Sequence, residues 1–255
     1  VFFTFACETY KNLDDMKKIV LLLLVAIMGW GYAAAQDLLA GNYKKALIVG
    51  AHPDDPESMA FGTALRLRDM GCEVVTVYLT HGEAGIPGKT HAEAAAIRTA
   101  EAEKVTEMTG IRHIFLSQID GNSEINKERY QEMKKLIEQE KPDLVITHWP
   151  IDSHRDHRLA GILSYDAWRQ TGRHFDLFYT EVMTGLQTTN FNPTHYVDIT
   201  PVRDMKLKCY LVHASQGLDG NIAKFHDTME GMRGLEFQCK WAEAFIKAIW
   251  PKVND

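Results

Sequence analysis

Two short stretches of this 255-residue chain put histidine and aspartate where they could share one task. The first is GAHPDDPE, Gly50 to Glu57, directly after the apolar run Ala46-Leu47-Ile48-Val49. The second is PIDSHRDHR, Pro150 to Arg158, directly after DLVITHW, Asp143 to Trp149. Turns that end buried strands are ordinarily built from glycine, asparagine and serine. These two instead carry groups that bind a metal ion or move a proton. Imidazole and carboxylate donors without a thiolate suit zinc with one coordination position left open for water, and hence a hydrolytic reaction.

The elements that must bring the two turns together follow from the apolar pattern. KALIVGA, Lys45 to Ala51, reads as a buried strand, and SMAFGTALRLRDMG, Ser58 to Gly71, as a helix stopped by its glycine. CEVVTVYLT is a second strand, followed by the glycine-rich loop HGEAGIPGKT. An alanine-rich helix, His91 to Gly110, precedes the short strand HIFLS. The helix NKERYQEMKKLIEQE then leads through Lys141-Pro142 into DLVITHW. Continuous apolar strands alternating with helices predict an α/β fold: a Rossmann-like, doubly wound, mostly parallel sheet with helices on both faces. Ligands of such sheets sit outside the carboxyl ends of the strands, where both turns fall. Near the C-terminus, EFQCKWAEAFIKAIW reads as a helix whose stripe of Phe237, Trp241, Phe245 and Trp250 packs in the core or against another subunit.

Composition narrows the class. The chain is 45% hydrophobic and 24% charged, which is globular. Its formal charge of -6, with no basic block, argues against nucleic acid as a partner. Met16-Lys17-Lys18, the apolar run Ile19 to Tyr32 and Ala33-Ala34-Ala35 have the layout of a secretory signal peptide. The expected organisation is an N-terminal extension and leader over 1–35 and one domain over 36–255. The mature chain would be exported, periplasmic or extracellular, with cleavage near Ala35 and no stable membrane span; an uncleaved anchor is the alternative. Cys72, Cys209 and Cys239 are widely spaced and outside any CxxC pattern, so they read as core residues. The first turn, VGAHPDD, is neither G-x-G-x-x-G nor a Walker loop, and its carboxylates would repel a pyrophosphate.

With those residues in view, the chain resembles the PIG-L/LmbE-like N-deacetylases. Ala51-His52-Pro53-Asp54-Asp55 resembles their first motif, and His154-Arg155-Asp156-His157 their His-x-Asp-His motif, with Arg155 where proline is common. Supporting pieces are Thr80-x-Gly82-Glu83-x-Gly85, Arg98-x-x-Glu101, Val197-Asp198-Ile199-Thr200 and His213-x-Ser215-Gln216. The resemblance implies zinc, or another divalent ion, held by His52, Asp55 and His157. It implies Asp54 as general base, and His154 as the group that stabilises the oxyanion or protonates the departing amine, with Asp156 orienting its ring. Glu83, Arg98, Asp152 and His213 are the candidates for substrate contact. Arg98 could instead pair with Glu101, and Asp152 could support the metal loop from behind. His148, His91, His113, His174, His195 and His226 carry no spacing signal and read as structural or surface residues.

The implied function is removal of an acetyl group from an N-acetylated amino sugar or glycoconjugate. A metal-dependent hydrolase of another amide, or a non-catalytic carbohydrate-binding protein, are the alternatives. Oligomeric state has no sequence signal.

Overall fold

The computed structural model describes residues 35–217 and 220–250. The expected extension and leader, residues 1–35, lie outside the described residues as far as residue 34. None of the described helices is long and apolar enough to cross a membrane.

Eight strands form one sheet: β1 (Gln36–Asp37), β2 (Lys45–Gly50), β3 (Glu73–Tyr78), β4 (Arg112–Phe115), β5 (Leu144–His148), β6 (Asp176–Thr180), β7 (His195–Asp198) and β8 (Ala242–Lys247), in the order β1-β7-β8-β6-β5-β2-β3-β4. From β6 through β5, β2 and β3 to β4 every pairing is parallel, while β8 runs antiparallel to both β6 and β7. The helices are α1 (Asp55–Met59), α2 (Phe61–Asp69), α3 (His91–Thr109), α4 (Lys127–Glu140), α5 (Arg155–Gln170), α6 (Arg203–Tyr210) and α7 (Gly220–Phe237).

The chain enters the parallel block at β2, winds outward to β4, then returns to the other side of β2 as β5. Strand order therefore reverses between β2 and β5, which opens a crevice at their carboxyl ends. The two chemistry-bearing turns leave those two strands. The α/β expectation holds.

Side chains along the central strands alternate between two cores, as the period of two requires. Ala46 and Ile48 of β2 pack with Phe61, Ala64 and Leu65 of α2 and Val105 of α3. Leu47 and Val49 face Met133 and Leu136 of α4 and Ala160 and Leu163 of α5. Each fully buried aliphatic side chain of this kind contributes roughly 1.5–3 kcal/mol. Local signals set the helix ends. Thr90 and Glu93 form a reciprocal capping box at α3, which Gly110 closes at φ 73°. Asn126 accepts from Arg129 N–H to start α4.

One expected helix is a strand. The segment read as helical from Glu236 to Trp250 ends α7 at Phe237 and then enters the sheet as β8. Its alanine-rich composition favours a helix, but β6 and β7 would each leave an unpaired edge without it. Ladder pairing on both sides overrides local propensity. Of the aromatic stripe, Phe245 is fully buried, while Trp250 lies under the guanidinium groups of Arg169 and Arg173.

β8 also brings charge into the interior. Glu243 accepts from Gly62 N–H at 2.8 Å and Thr63 N–H at 2.7 Å in the first turn of α2. Lys206 of α6 lies 2.7 Å from Glu243 and 2.7 Å from Glu230 of α7, and Arg203 also pairs with Glu230. Burial alone would strip the proton from Lys206; the two carboxylates outweigh it and raise its pKa. His226 lies beside this layer with both ring nitrogens unpartnered among the described residues. Burial, with the positive charges of Lys206 and Arg203, pushes it down to about 3.

Lys206→Met should destabilise the fold by about 3–5 kcal/mol, because it leaves buried carboxylates without their counter-charge; urea titration measures this. His226 sets a pH dependence. Its folded pKa lies below the ordinary value of 6.5, so the unfolded chain binds the extra proton as pH falls. Its contribution is fully present above pH ~6.5 and erodes by about 1.4 kcal/mol per pH unit on the way down toward pH 3. Stability of wild type minus that of His226→Gln should fall with this slope between pH 6 and pH 4, and a flat difference would contradict it.

Candidate active site

Gly50 makes the first turn possible. A Cβ there would meet Pro56 Cδ at 2.6 Å and Asp55 Cβ at 2.8 Å, so only glycine lets α1 tuck against the end of β2. Asp55, at the start of α1, turns its carboxylate back beneath the turn. Its Oδ2 accepts from Ala51 N–H at 3.0 Å and His52 N–H at 2.7 Å. On the other side, a Cβ at Gly161 would meet the His148 carbonyl oxygen at 2.5 Å, so α5 approaches the end of β5 closely. That approach carries His154 and His157 over the crevice.

The Asp55 carboxylate is ringed by imidazoles. His52 Nδ1 is 3.1 Å from Oδ2, His157 Nε2 is 3.2 Å from Oδ1, and His148 Nε2 is 3.4 Å from Oδ2. His148 and His157 stack at 4.1 Å, and His154 stacks on His157 at 4.5 Å while meeting the His52 ring edge-on at 4.8 Å. Burial would raise the Asp55 pKa; the charge of His157 chiefly overcomes it and holds the carboxyl well below the usual range. Conversely, Asp55 and Asp152 overcome burial and lift His157 to about 9. Burial pushes His148 down to about 4, which leaves it neutral; its Nε2 accepts from Ala51 N–H at 3.2 Å.

Donor chemistry and crowding together fit a divalent cation. His52, His154 and His157 form one group whose ligand atoms lie within 4.8 Å of each other, and Asp55, His148 and His157 form another. His157 is common to both groups, and with His52 and Asp55 it would hold the ion. The carboxylates beside His52 and His157 favour a positive charge on each ring, which a cation would supply in place of a proton.

Asp54 sits beside this centre in an unusual backbone state, φ 138°, a conformation that costs on the order of 1–3 kcal/mol in a non-glycine residue. Arg98 holds it there. The guanidinium donates to the Pro53 carbonyl and lies 2.9 Å from Asp54 Oδ1, leaving Oδ2 without a partner among the described residues. Burial raises the Asp54 pKa, with Arg98 opposing and Asp55 adding to the rise.

The expected roles are redistributed in four places. Arg98 is 2% exposed and pairs with Asp54 rather than with Glu101, which accepts from Ser215 instead. Its charge is therefore already used beneath Asp54. His213 is fully buried 3.4 Å from Glu57, whose other oxygen accepts from Tyr78, so it lies behind the cleft and not in its wall. Asp152 accepts from His154 N–H at 2.8 Å and lies 3.2 Å from His157 Nδ1, a supporting position beneath the second turn. Asp156 does not reach the His154 ring: its Oδ2 accepts from Gly121 N–H at 3.0 Å and lies 3.4 Å from His52 Nε2. The expected orienting pair is thus absent, and burial with the nearby charge of His157 and His52 lowers the His154 pKa, against a resting imidazolium.

An open cleft of about 500 Å³ covers the centre, lined by Ala84, Gly85, Val182, Met183, Gln187, Tyr210 and Gln216. Glu83 stands just behind, accepting from Asp120 N–H at 3.1 Å. Two members of the site carry no sequence signal of their own. His148 is the last residue of β5, and Asp120 follows β4 in an Asp-Gly turn. Position at a strand's carboxyl end is the signal that could have found them.

The GlcNAc-PI de-N-acetylase (PIG-L) family model matches residues 47–168, a span that contains both turns. The diacetylchitobiose deacetylase of Thermococcus kodakarensis is 32% identical over 190 residues, 69% of this chain and 71% of that protein. The probable N-acetyl-α-D-glucosaminyl L-malate deacetylase 2 of Bacillus anthracis is 27% identical over 186 residues, 69% of this chain and 82% of that protein. The solved structure of N,N'-diacetylchitobiose deacetylase from Pyrococcus horikoshii, in complex with an inhibitor, superposes with a TM-score of 0.74 at 25% identity, covering 94% of this chain and 95% of that one.

A double-mutant cycle on Arg98→Met and Asp54→Asn should give a coupling of about 1–3 kcal/mol in folding stability. Additive effects, within about 0.5 kcal/mol, would mean that the pair does not hold the turn.

Proposed function

The chain belongs to the PIG-L family of de-N-acetylases, and from that premise we propose that it is a metal-dependent N-deacetylase acting on an N-acetylated amino sugar or a glycoconjugate that bears one. The observation that carries the reading is the Asp55 carboxylate set between His52 and His157, with Asp54 beside it and one Asp54 oxygen free at the floor of an open cleft. The names of the relatives supply the substrate class.

His52, Asp55 and His157 would hold the ion, zinc being the one their donor types suit best. When bound, it supplies Lewis acidity, acidifying a water toward pKa ~7 and polarising the acetamide carbonyl. Asp54 does the proton work. Arg98 fixes Oδ1, so Oδ2 is the atom that takes the proton of the attacking water and returns it to the departing nitrogen. One water and one amide then balance to acetate and the protonated amine. His154, on the cleft wall against His52 and His157, offers a ring N–H to the developing oxyanion, where a fixed donor stabilises the transition state most. Asp152 keeps the His157 ring in place from behind. Val182, Met183 and Tyr210 give the sugar an apolar wall, while Gln187 and Gln216 offer hydrogen bonds to its hydroxyls.

The test is acetate release from N,N'-diacetylchitobiose and N-acetylglucosamine by wild type, Asp54→Asn and Asp55→Asn, with metal content measured alongside. Asp54→Asn should keep its ion yet lose roughly 10²–10⁴-fold in turnover. Asp55→Asn should lose both. Undiminished turnover in Asp54→Asn would remove Asp54 from the mechanism. A metal-replete wild type that releases no acetate from any amino sugar would point to another amide.

A further inference from the structure

We infer that Asp120 is a positioning residue for the metal centre: its carboxylate holds the proton on His52 Nε2 and so presents His52 Nδ1, unprotonated, to the ion. The inference rests on the reading of His52 as an ion ligand.

The geometry around His52 is two-sided. Nδ1 faces Asp55 Oδ2 at 3.1 Å, inside the ring of histidines. Nε2 faces outward, 3.1 Å from Asp120 Oδ1 and 3.4 Å from Asp156 Oδ2. A neutral imidazole has one N–H and one lone pair, and the hydrogen bond at one nitrogen decides which nitrogen is left to bind an ion. Carboxylates face both nitrogens, but a cation shared with Asp55 would need the Nδ1 lone pair, and the two carboxylates at Nε2, which can only accept, then keep the single proton there.

Asp120 is itself built into place, as a positioning group must be. Its Oδ2 accepts from Ala84 N–H at 3.1 Å, and its own N–H donates to Glu83 Oε2 at 3.1 Å. The loop after β3 and the loop after β4 are thereby tied to each other and to the first turn. Glu83, a substrate candidate on sequence grounds, acts here as the brace of that tie. Asp156 is held from another side by Gly121 N–H and is fully buried. Asp120 makes the shorter contact to Nε2, so it carries the larger share.

His52, Asp120 and Asp156 also satisfy the crowding expected of a cation site, with ligand atoms within 4.8 Å. A second ion there would have to take Nε2 while the first takes Nδ1. That requires His52 to lose its last proton and become an imidazolate. A shared proton at Nε2 is the cheaper state, so the group serves the first ion and is not a site for another.

The experiment compares zinc affinity, by competition with a chelating dye, for wild type, Asp120→Asn and Asp120→Ala, with thermal melts of the metal-free proteins as a check on folding. Asp120→Asn keeps an acceptor oxygen of the same size but loses its charge, and should bind zinc about 10-fold more weakly. Asp120→Ala loses the acceptor and should approach 100-fold, the usual range for a removed partner of a ligating histidine. Kinetics at saturating zinc separate the alternative that Asp120 only touches substrate from the cleft wall. That role would raise KM and leave zinc affinity unchanged, a result that would overturn the inference. Should Asp120→Ala fail to fold, the isosteric Asp120→Asn decides the matter alone. A wild type that binds no zinc would overturn the reading of the centre itself, and this inference with it.

Discussion

Everything in the cleft depends on one buried carboxylate. Asp55 accepts two backbone N–H groups with one oxygen and faces His52 and His157 within 3.2 Å, so its negative charge is stabilised although the side chain is buried. A buried carboxylate without such partners would neutralise itself. Here the surrounding structure keeps it ionised, and it in turn organises the histidines. The Gly50 and Gly161 contacts gain their meaning from this: each lets backbone come close enough for a side chain to reach Asp55. The reversal of strand order between β2 and β5 supplies the space in which it happens.

Charge is handled in layers outward from that point. Arg98 offsets the strained Asp54 and fills the volume beside Gly82 and Gly85, where a Cβ would meet the guanidinium at 2.5 Å. Asp152 stands behind His157, and Asp120 with Asp156 behind His52. Farther back, Glu243 receives the first turn of α2 and is neutralised by Lys206, so this helix, close after the Asp54-Asp55 turn, is anchored to β8 through a buried ion network. Each ion of that network is paired, whereas His226 beside it stays neutral because the local charge is already positive. Behind the centre, paired charges thus tie α2 to β8.

Much of this was legible before any coordinates. The parallel strands announce themselves as unbroken apolar runs, and two His-Asp turns at strand ends identify the crevice. The residues at the centre, His52, Asp54, Asp55, His154 and His157, all come together. What the sequence hides is direction. By sequence Asp156 suits the His154 ring and Arg98 suits substrate or Glu101, yet their helices turn Asp156 toward His52 and Arg98 toward Asp54. His213 lies in a C-terminal stretch whose path only tertiary packing fixes, and it ends up behind the cleft with Glu57. His148 and Asp120 have no motif of their own; they matter because of where their strands end. β8 has helix-favouring composition and is a strand because two sheet edges need it. Contacts between residues far apart in sequence decide each of these.

The most direct test of the account is X-ray absorption spectroscopy of the purified protein loaded with one equivalent of zinc. Two imidazole nitrogens at about 2.0–2.1 Å together with oxygen donors, and no sulfur, is the predicted shell. The Asp55→Asn variant, handled identically, should lose that signature. A shell with a single imidazole, or with sulfur, or a wild type whose zinc is lost on simple dilution, would contradict the claim that Asp55 and its two histidines form the metal centre on which the fold converges.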